Sequence, residues 1–357
     1  MKFYICLIIV FSILDVKSQH CNLSLNNSLY YNYEKNIYLS NKISHTSFKP
    51  LIKPNISIFN DTMSSFVNHT DINLYYRKLF FEHLFMINKE DYKIIASPVI
   101  DLNIGKDFYD GKTTHINTRG YFVEGNLGDK VFFQTSFREN QSVFPSYVHN
   151  YIKKNKIVPG QGYARIFKDS GYDYSMSSGY VSIKPAKFFT FQFGHGKHFV
   201  GDGYRSLLLS DYTFNYPFLR IQSTFWKIKY TNLYAEFQDI NYFQNNGINN
   251  YDQMGYAKKY MSSHYLDINL NDKLSIALFE SVIWKTNHAP GTSGFDVNYL
   301  NPIILLRPIE YSLNSPDNVL VGLNSKYNII NNIFLYGQLI LDEFSLTSMR
   351  EGKNWWG

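Results

Sequence analysis

The stretch GHGKHFVGDGYRSLLLSD, Gly194 to Asp211, gathers glycines, two histidines, two basic side chains and two aspartates in one short run. Three chemistries use such residues: a phosphate-cradling glycine loop, a metal site, and a glycan-binding loop. A dinucleotide or phosphate fingerprint needs its glycines between a strand and a helix N-terminus within a βαβ unit. Here they follow an alternating strand and lead only to a short apolar run, so no nucleotide cofactor is expected. Zinc would need three or four ligands; His195 and His198 have only Asp202 nearby, and Cys21 is remote, so no metal is expected.

Glycan binding fits the residue types better. Sugar rings stack on aromatic faces, and Arg and Lys attract acidic sugars, the guanidinium gripping a carboxylate through two hydrogen bonds. The candidate glycan contacts are His195, Lys197, His198, Tyr204 and Arg205, joined by Trp284, Tyr299 and Arg307 on or beside a second large loop. The competing account of each is ordinary loop packing, or a Tyr/Trp girdle at a membrane interface. Catalysis is not expected. Asp342 and Glu343 are adjacent on a strand and point to opposite faces, so they cannot work as a glycosidase pair. Glu280 and Asp342 could both reach a lumen, but polar lumen residues belong to any barrel. No Ser/His/Asp order stands out.

The elements that must position these residues read as follows. MKFYICLIIVFSILDVKS has one lysine, an apolar run and a small terminal residue, the order of a secretory signal peptide with cleavage after Ser18. The apolar run is too short to span ~30 Å of hydrocarbon as a helix, and no later segment is long enough. Cys6 leaves with the signal peptide, so Cys21 has no intramolecular partner. A secreted chain of this size without disulfides suits a bacterial envelope. Lipid anchoring at Cys21 is not expected after His20, and the Asn-x-Ser/Thr matches are discounted in so Asn-rich a chain. The formal charge of +6 is spread without a basic block, so nucleic acid is not a partner. With 30 Tyr, 29 Phe and 4 Trp at a mean hydropathy of only −0.26, the chain has the profile of strands with one apolar and one wet face.

Residues 19–96 are polar and irregular. Leu79, Phe80, Leu84 and Phe85 recur at helical spacing, which predicts one amphipathic helix within Tyr75–Glu90. Further on, the chain becomes paired runs joined by tight turns: TRGYFVEGN and KVFFQTSFREN, SSGYVSIK and KFFTFQFG, LRIQSTF and KYTNLYAEF, SHYLDINL and KLSIALFESVIW, NVLVGLNSKYNI and IFLYGQLILDEF. These five hairpins predict at least ten strands. The connections between hairpins, 140–170, 195–216, 239–260 and 285–317, are long. Tight turns alternating with long loops, over strands able to cross ~25 Å when tilted, describe an all-β, antiparallel outer-membrane β-barrel with long loops outside. The Gly194–Asp211 loop is expected to fold back over the barrel mouth, with Tyr204 and Arg205 fixing it.

Alternation assigns the faces. Phe189, Phe191 and Phe193 are expected toward lipid and Thr190, Gln192 and Gly194 toward the lumen; Leu335, Leu339 and Leu341 toward lipid and Tyr336, Gln338 and Asp342 inward. A soluble antiparallel barrel or sandwich, burying one face in a core, is the alternative. The sequence ends at NWWG without an aromatic-ended closing strand. Open edges cannot stand in lipid, so barrel closure is expected beyond Gly357.

Several long strings, among them FGHGKHFVGDGYRSLLLSD, NYPFLRIQSTFWKIKYTNLYAEF, GFDVNYLNPIILLRPIEYS and LYGQLILDEF, resemble the capsule-assembly (Wzi-like) outer-membrane family, most closely its Bacteroidetes branch of RemB-like gliding-motility proteins. The resemblance runs from about Asp101 to Gly357. It implies a large non-enzymatic barrel facing the cell surface, with an N-terminal helical plug, that holds surface polysaccharide or serves surface motility. Its partners would be outer-membrane lipid, surface polysaccharide, and other envelope or motility proteins. The expected organisation is therefore a signal peptide (1–18), a periplasmic or plug-like segment (19–96) and a barrel (97–357). A barrel enzyme acting on surface glycans and a soluble periplasmic β-protein stand as alternatives.

Overall fold

The computed structural model describes residues 21–27, 30–31, 44–52, 73–80, 82–168, 170–239, 257–285, 295–303, 317–330, 333–342 and 355–357. The expected signal peptide, residues 1–18, lies outside them. In chain order the elements are β1 (Phe48–Lys49), α1 (Leu74–Phe80), β2 (Phe85–Asn88), β3 (Tyr92–Lys106), β4 (Thr113–Leu127), β5 (Val131–Val143), α2 (Ser146–Asn155), β6 (Arg165–Phe167), β7 (Gly171–Ala186), β8 (Phe189–Gly196), β9 (Phe199–Val200), β10 (Tyr216–Phe225), β11 (Ile228–Asp239), β12 (Ala257–Asn269), β13 (Leu274–Lys285), β14 (Asn318–Ile330), β15 (Ile333–Asp342) and β16 (Trp355–Trp356). A 3₁₀ turn covers Val297–Leu300.

All five expected hairpins are present, as β4/β5, β7/β8, β10/β11, β12/β13 and β14/β15. They join into one antiparallel sheet running β2-β3-β4-β5-β7-β8-β10-β11-β12-β13-β14-β15-β16, with β6 paired to β7. Among the described residues, no pairing joins β2 to β16. Two elements differ from expectation. The helix stops at Phe80, and Phe85 instead pairs with Ala96 across the β2/β3 hairpin, where neighbouring backbone groups outbid helical spacing. The sheet accordingly starts before residue 97, and β3 pairs with β4 along its whole length.

The two faces of the sheet differ as alternation requires. On β8, Phe193 is 68 % exposed and its neighbour Gln192 is 1 % exposed. On β3, Ile100, Leu102 and Ile104 are exposed, while Asp101 and Asn103 take the other face. Leu335 and Leu339 on β15 share the outward face, and Gln338 turns inward to bond Val200. On these strands the outward Ile, Leu and Phe form exposed apolar rows that do not join the inner core.

The inner face is concave. Gln338 on β15 donates to the Val200 carbonyl at 2.9 Å, four residues after β8 ends. Six strand steps on a flat sheet would separate β8 from β15 by roughly 29 Å, whereas four residues of extended chain cover at most ~14 Å. The sheet therefore curls, bringing distant strands round a shared interior. That interior holds two inserted pieces, the N-terminal residues 21–26 and 44–52 and the loop after β8, which pair with each other as β1 and β9. Phe48, Val200 and Leu208 from these pieces pack on Phe218, Leu233, Met261, Tyr265 and Phe279 from the strands.

Arg220 on β10 anchors the N-terminal piece. Fully buried, it donates to the Pro50 carbonyl at 3.0 Å, to Asn22 Oδ1 at 2.9 Å and to Gln192 Oε1, and lies over the Phe48 ring. Asn22 and Gln192 also bond each other, and the Asn22 amide N–H donates to Tyr180. Removing the guanidinium would strand these acceptors away from water. Arg220→Met should cost about 3 kcal/mol, and the 44–52 segment should lose protection from chymotrypsin at the buried Phe48. Urea unfolding in detergent and limited digestion measure the two effects; unchanged values would remove Arg220 as the anchor.

Candidate functional site

The sheet sorts its connections. Described tight turns lie at one end, including one where Gly128 takes φ +58° and its N–H donates to the Asp91 carbonyl. The long connections lie at the other. Among these, Gly194–Asp211 does not close over the mouth as a surface loop. It descends into the interior, with Asp202 fixed at the centre of a polar lock. Thr46 donates to Asp202 Oδ1 at 2.7 Å, Asn324 to Oδ2 at 2.9 Å, and the Lys326 ammonium sits 3.2 Å from Oδ1. Gly203 faces the Tyr336 ring so closely that a Cβ there would collide with it. The Leu207 N–H donates to Gln338.

This descent decides the fate of each candidate. His198 is fully buried: Nδ1 hydrogen-bonds the Tyr216 hydroxyl at 3.0 Å, and the ring packs edge-on against Phe218 at 4.4 Å. The ring is thus committed to packing and to Tyr216, not displayed on an outer loop as expected. His195, at the end of β8, is half-buried and bonds the Ser177 carbonyl. Lys197 donates to the Gly160 carbonyl. Burial lowers the Lys197 ammonium, with Asp211 offsetting part of that. Tyr204 and Arg205 are exposed and stack on one another, the guanidinium 4.8 Å from the ring centroid.

Trp284 and Tyr299 do not join them. They are buried with Tyr260 and Phe295 on the outward face of β11–β14, the Trp284 and Tyr299 rings 4.7 Å apart. The Tyr299 and Leu300 carbonyls accept from Ser262 and Tyr234, and the Tyr299 hydroxyl donates to Asp317. Both expected sugar contacts are thus packing residues that strap one loop down. Arg307 lies outside the described residues, as does Glu343. Glu280 faces outward beside His264, whereas Asp342 falls on the inward register with Gln338, so the two carboxylates do not share the lumen.

Two cavities flank the descending loop. The first, about 330 Å³, is lined by His195, Lys197 and His198 together with Gln134, Arg138 and Gln161, with Phe122 and Tyr180 as aromatic wall. The second, about 240 Å³, brings Tyr204 and Arg205 to Tyr30, Lys49, Phe199 and Tyr212. Asp211 and Leu25 border both. Cationic donors, amides and aromatic faces line each, a set suited to an acidic, hydroxylated ligand. Sequence reading passed over Arg138, Gln134 and Ser136, although their period-two spacing in KVFFQTSFREN marked them as one inward face. Among the described residues no group of three His, Cys, Asp or Glu could hold a metal.

No family model matches the chain, and no curated protein does. Among solved structures, the crystal structure of a Pseudomonas aeruginosa FadL homologue aligns with 71% of this chain and 67% of its own length, at 12% identity and a TM-score of 0.31. That score supports no argument about this chain.

The lock and its histidine make a pH prediction. Burial, with Arg220 nearby, pushes the His198 imidazole well below the usual histidine range. Below about pH 6.5 the unfolded chain takes up a proton that the folded chain refuses, so stability falls with acidity by up to about 1.4 kcal/mol per pH unit. Burial would raise the Asp202 carboxyl, but Lys326, Thr46 and Asn324 outweigh it and hold it below the ordinary aspartate range. Its stabilisation is present at neutral pH and is lost only at acidity beyond that range. The urea midpoint should drop between about pH 7.5 and about pH 5.5, and His198→Phe should narrow that drop. Asp202→Asn, removing the buried charge that Lys326, Thr46 and Asn324 converge on, should cost about 3–5 kcal/mol at neutral pH.

Proposed function

We propose that the chain forms a non-enzymatic β-barrel of the outer membrane, exported by its N-terminal signal peptide, whose luminal loop binds acidic surface polysaccharide. The observation that carries the membrane part is one curled sheet with Ile, Leu and Phe exposed on its outer face and a hydrogen-bonded polar inner face. A soluble sandwich would bury that outward row; a bilayer receives it. No helix among the described residues is long and apolar enough to cross a membrane. The two cavities beside the loop support the polysaccharide part, since they place Arg138, Lys197, Tyr204 and Arg205 at the long-loop end. This agrees with the sequence resemblance to Wzi-like proteins. A role in surface motility, the other reading of that resemblance, would use the same loops, with residues 21–26 and 44–52 serving as part of a plug.

The barrel reading is tested by comparing unheated and boiled membrane fractions on gels. The protein should run faster before boiling and be absent from the soluble fraction; one mobility and a soluble location would overturn it. For the ligand, Lys197→Gln with Arg138→Gln should leave mobility unchanged and weaken binding to the cell's own acidic polysaccharide about tenfold or more. Undiminished binding would return these residues to packing. A deletion strain scored for capsule retention and colony spreading separates the capsule role from motility.

A further inference from the structure

The tight-turn end of the lumen carries a third cavity, about 510 Å³, lined by Thr224, Trp226, Lys227, Lys229, Asn269 and Asp272, with Ser44 and His45 from the inserted N-terminal piece. It shares no lining residue with the two loop cavities. Its volume falls within the ~300–1,000 Å³ usual for small-molecule sites.

Its charges are unevenly matched. Lys229 pairs in register with Asp267, but that carboxylate accepts from the Ser47 hydroxyl at 3.0 Å and lies 3.1 Å from His45 Nδ1. Lys229 is half-buried, and Asp267 acts on its ammonium without a close ion pair among the described residues. Lys227 stands beside it at the turn. Asn269 is only 3 % exposed; its Nδ2 lies 3.3 Å from His45 Nε2 and its Oδ1 has no partner. Exchanging the two amide atoms would leave the NH₂ open instead, so one amide group lining the cavity is unmatched in either orientation. Buried polar groups are rarely left so without a ligand or water to meet them. At the rim, Trp226 is 87 % exposed and held at φ +54°, with the Lys227 ammonium 5.7 Å from its ring centroid.

We propose that this cavity binds a hydroxylated oxyanion, a sugar unit carrying phosphate or carboxylate. The oxyanion lies between Lys227 and Lys229. Asn269, Thr224 and Asp272 take its hydroxyls, and Trp226 offers an aromatic face for the ring. The site lies inside the curled sheet, so a lipid headgroup does not reach it from the outer surface. It also does not depend on the loop cavities binding polysaccharide.

The test is calorimetric titration of the full chain in detergent with glucose 6-phosphate, glucuronate and glucose. Measured in the Lys197→Gln/Arg138→Gln background, which removes the cations of the first loop cavity, both anions should bind with one site, weakening as salt rises, and glucose should not bind measurably. Lys229→Gln should weaken the anions about tenfold or more. Lys227→Gln, at the half-exposed turn where folding is not at stake, should weaken them to a smaller degree. The proposal is overturned if neither anion binds, if glucose binds equally well, or if Lys229→Gln and Lys227→Gln both keep wild-type affinity.

Discussion

A sheet that presents polar side chains to its own interior must satisfy them there, and in this protein two inserted pieces of chain do so. Arg220 carries the largest share. Its guanidinium reaches Asn22, Pro50 and Gln192 at once, tying the N-terminal piece to β8 and β10. A buried guanidinium is tolerated only where several acceptors converge on it. The position of residues 44–52, and hence of every cavity they border, follows from that convergence.

The second lock works by the same physics from the other side. Asp202 arrives with the glycine-containing loop and finds Lys326, Asn324 and Thr46, one ammonium and two neutral donors for a single carboxylate. Gly201, at φ +151°, and Gly203, against the Tyr336 ring, allow the backbone to approach β15 where a side chain would be blocked. Glycine content that first suggests phosphate binding is thus explained by close packing inside a curled sheet. The cavities beside the loop are what remain after that packing is made.

On the opposite face the same alternation yields apolar rows, with one exception. Residues Phe295–Leu300 lie over β11–β14, accepting from Tyr234 and Ser262, and further along the same face a polar group forms in which His264 Nδ1 is 2.8 Å from both Asn232 Oδ1 and the Tyr230 hydroxyl. The aromatic cluster around Trp284 and Tyr299 holds that cover in place. Aromatic residues near a loop therefore served burial, although their types alone suit sugar stacking equally well.

The sequence by itself determined the hairpins, their turns and the two faces of each strand, because a period of two is a local property that backbone geometry cannot evade. It also held, unnoticed, the inward set Gln134, Ser136 and Arg138. It did not determine where the long loop goes. Asp202 and Lys326 are 124 residues apart, and Asn22 and Arg220 are 198 apart; no local pattern links such partners. Nor did helical spacing reveal that Phe85 would join a strand, since cross-strand pairing with Ala96 is a longer-range term than periodicity. Which polar residues face a cavity, and which merely close a hydrogen bond, was decided only when the sheet curled and brought distant strands around the same inserted chain.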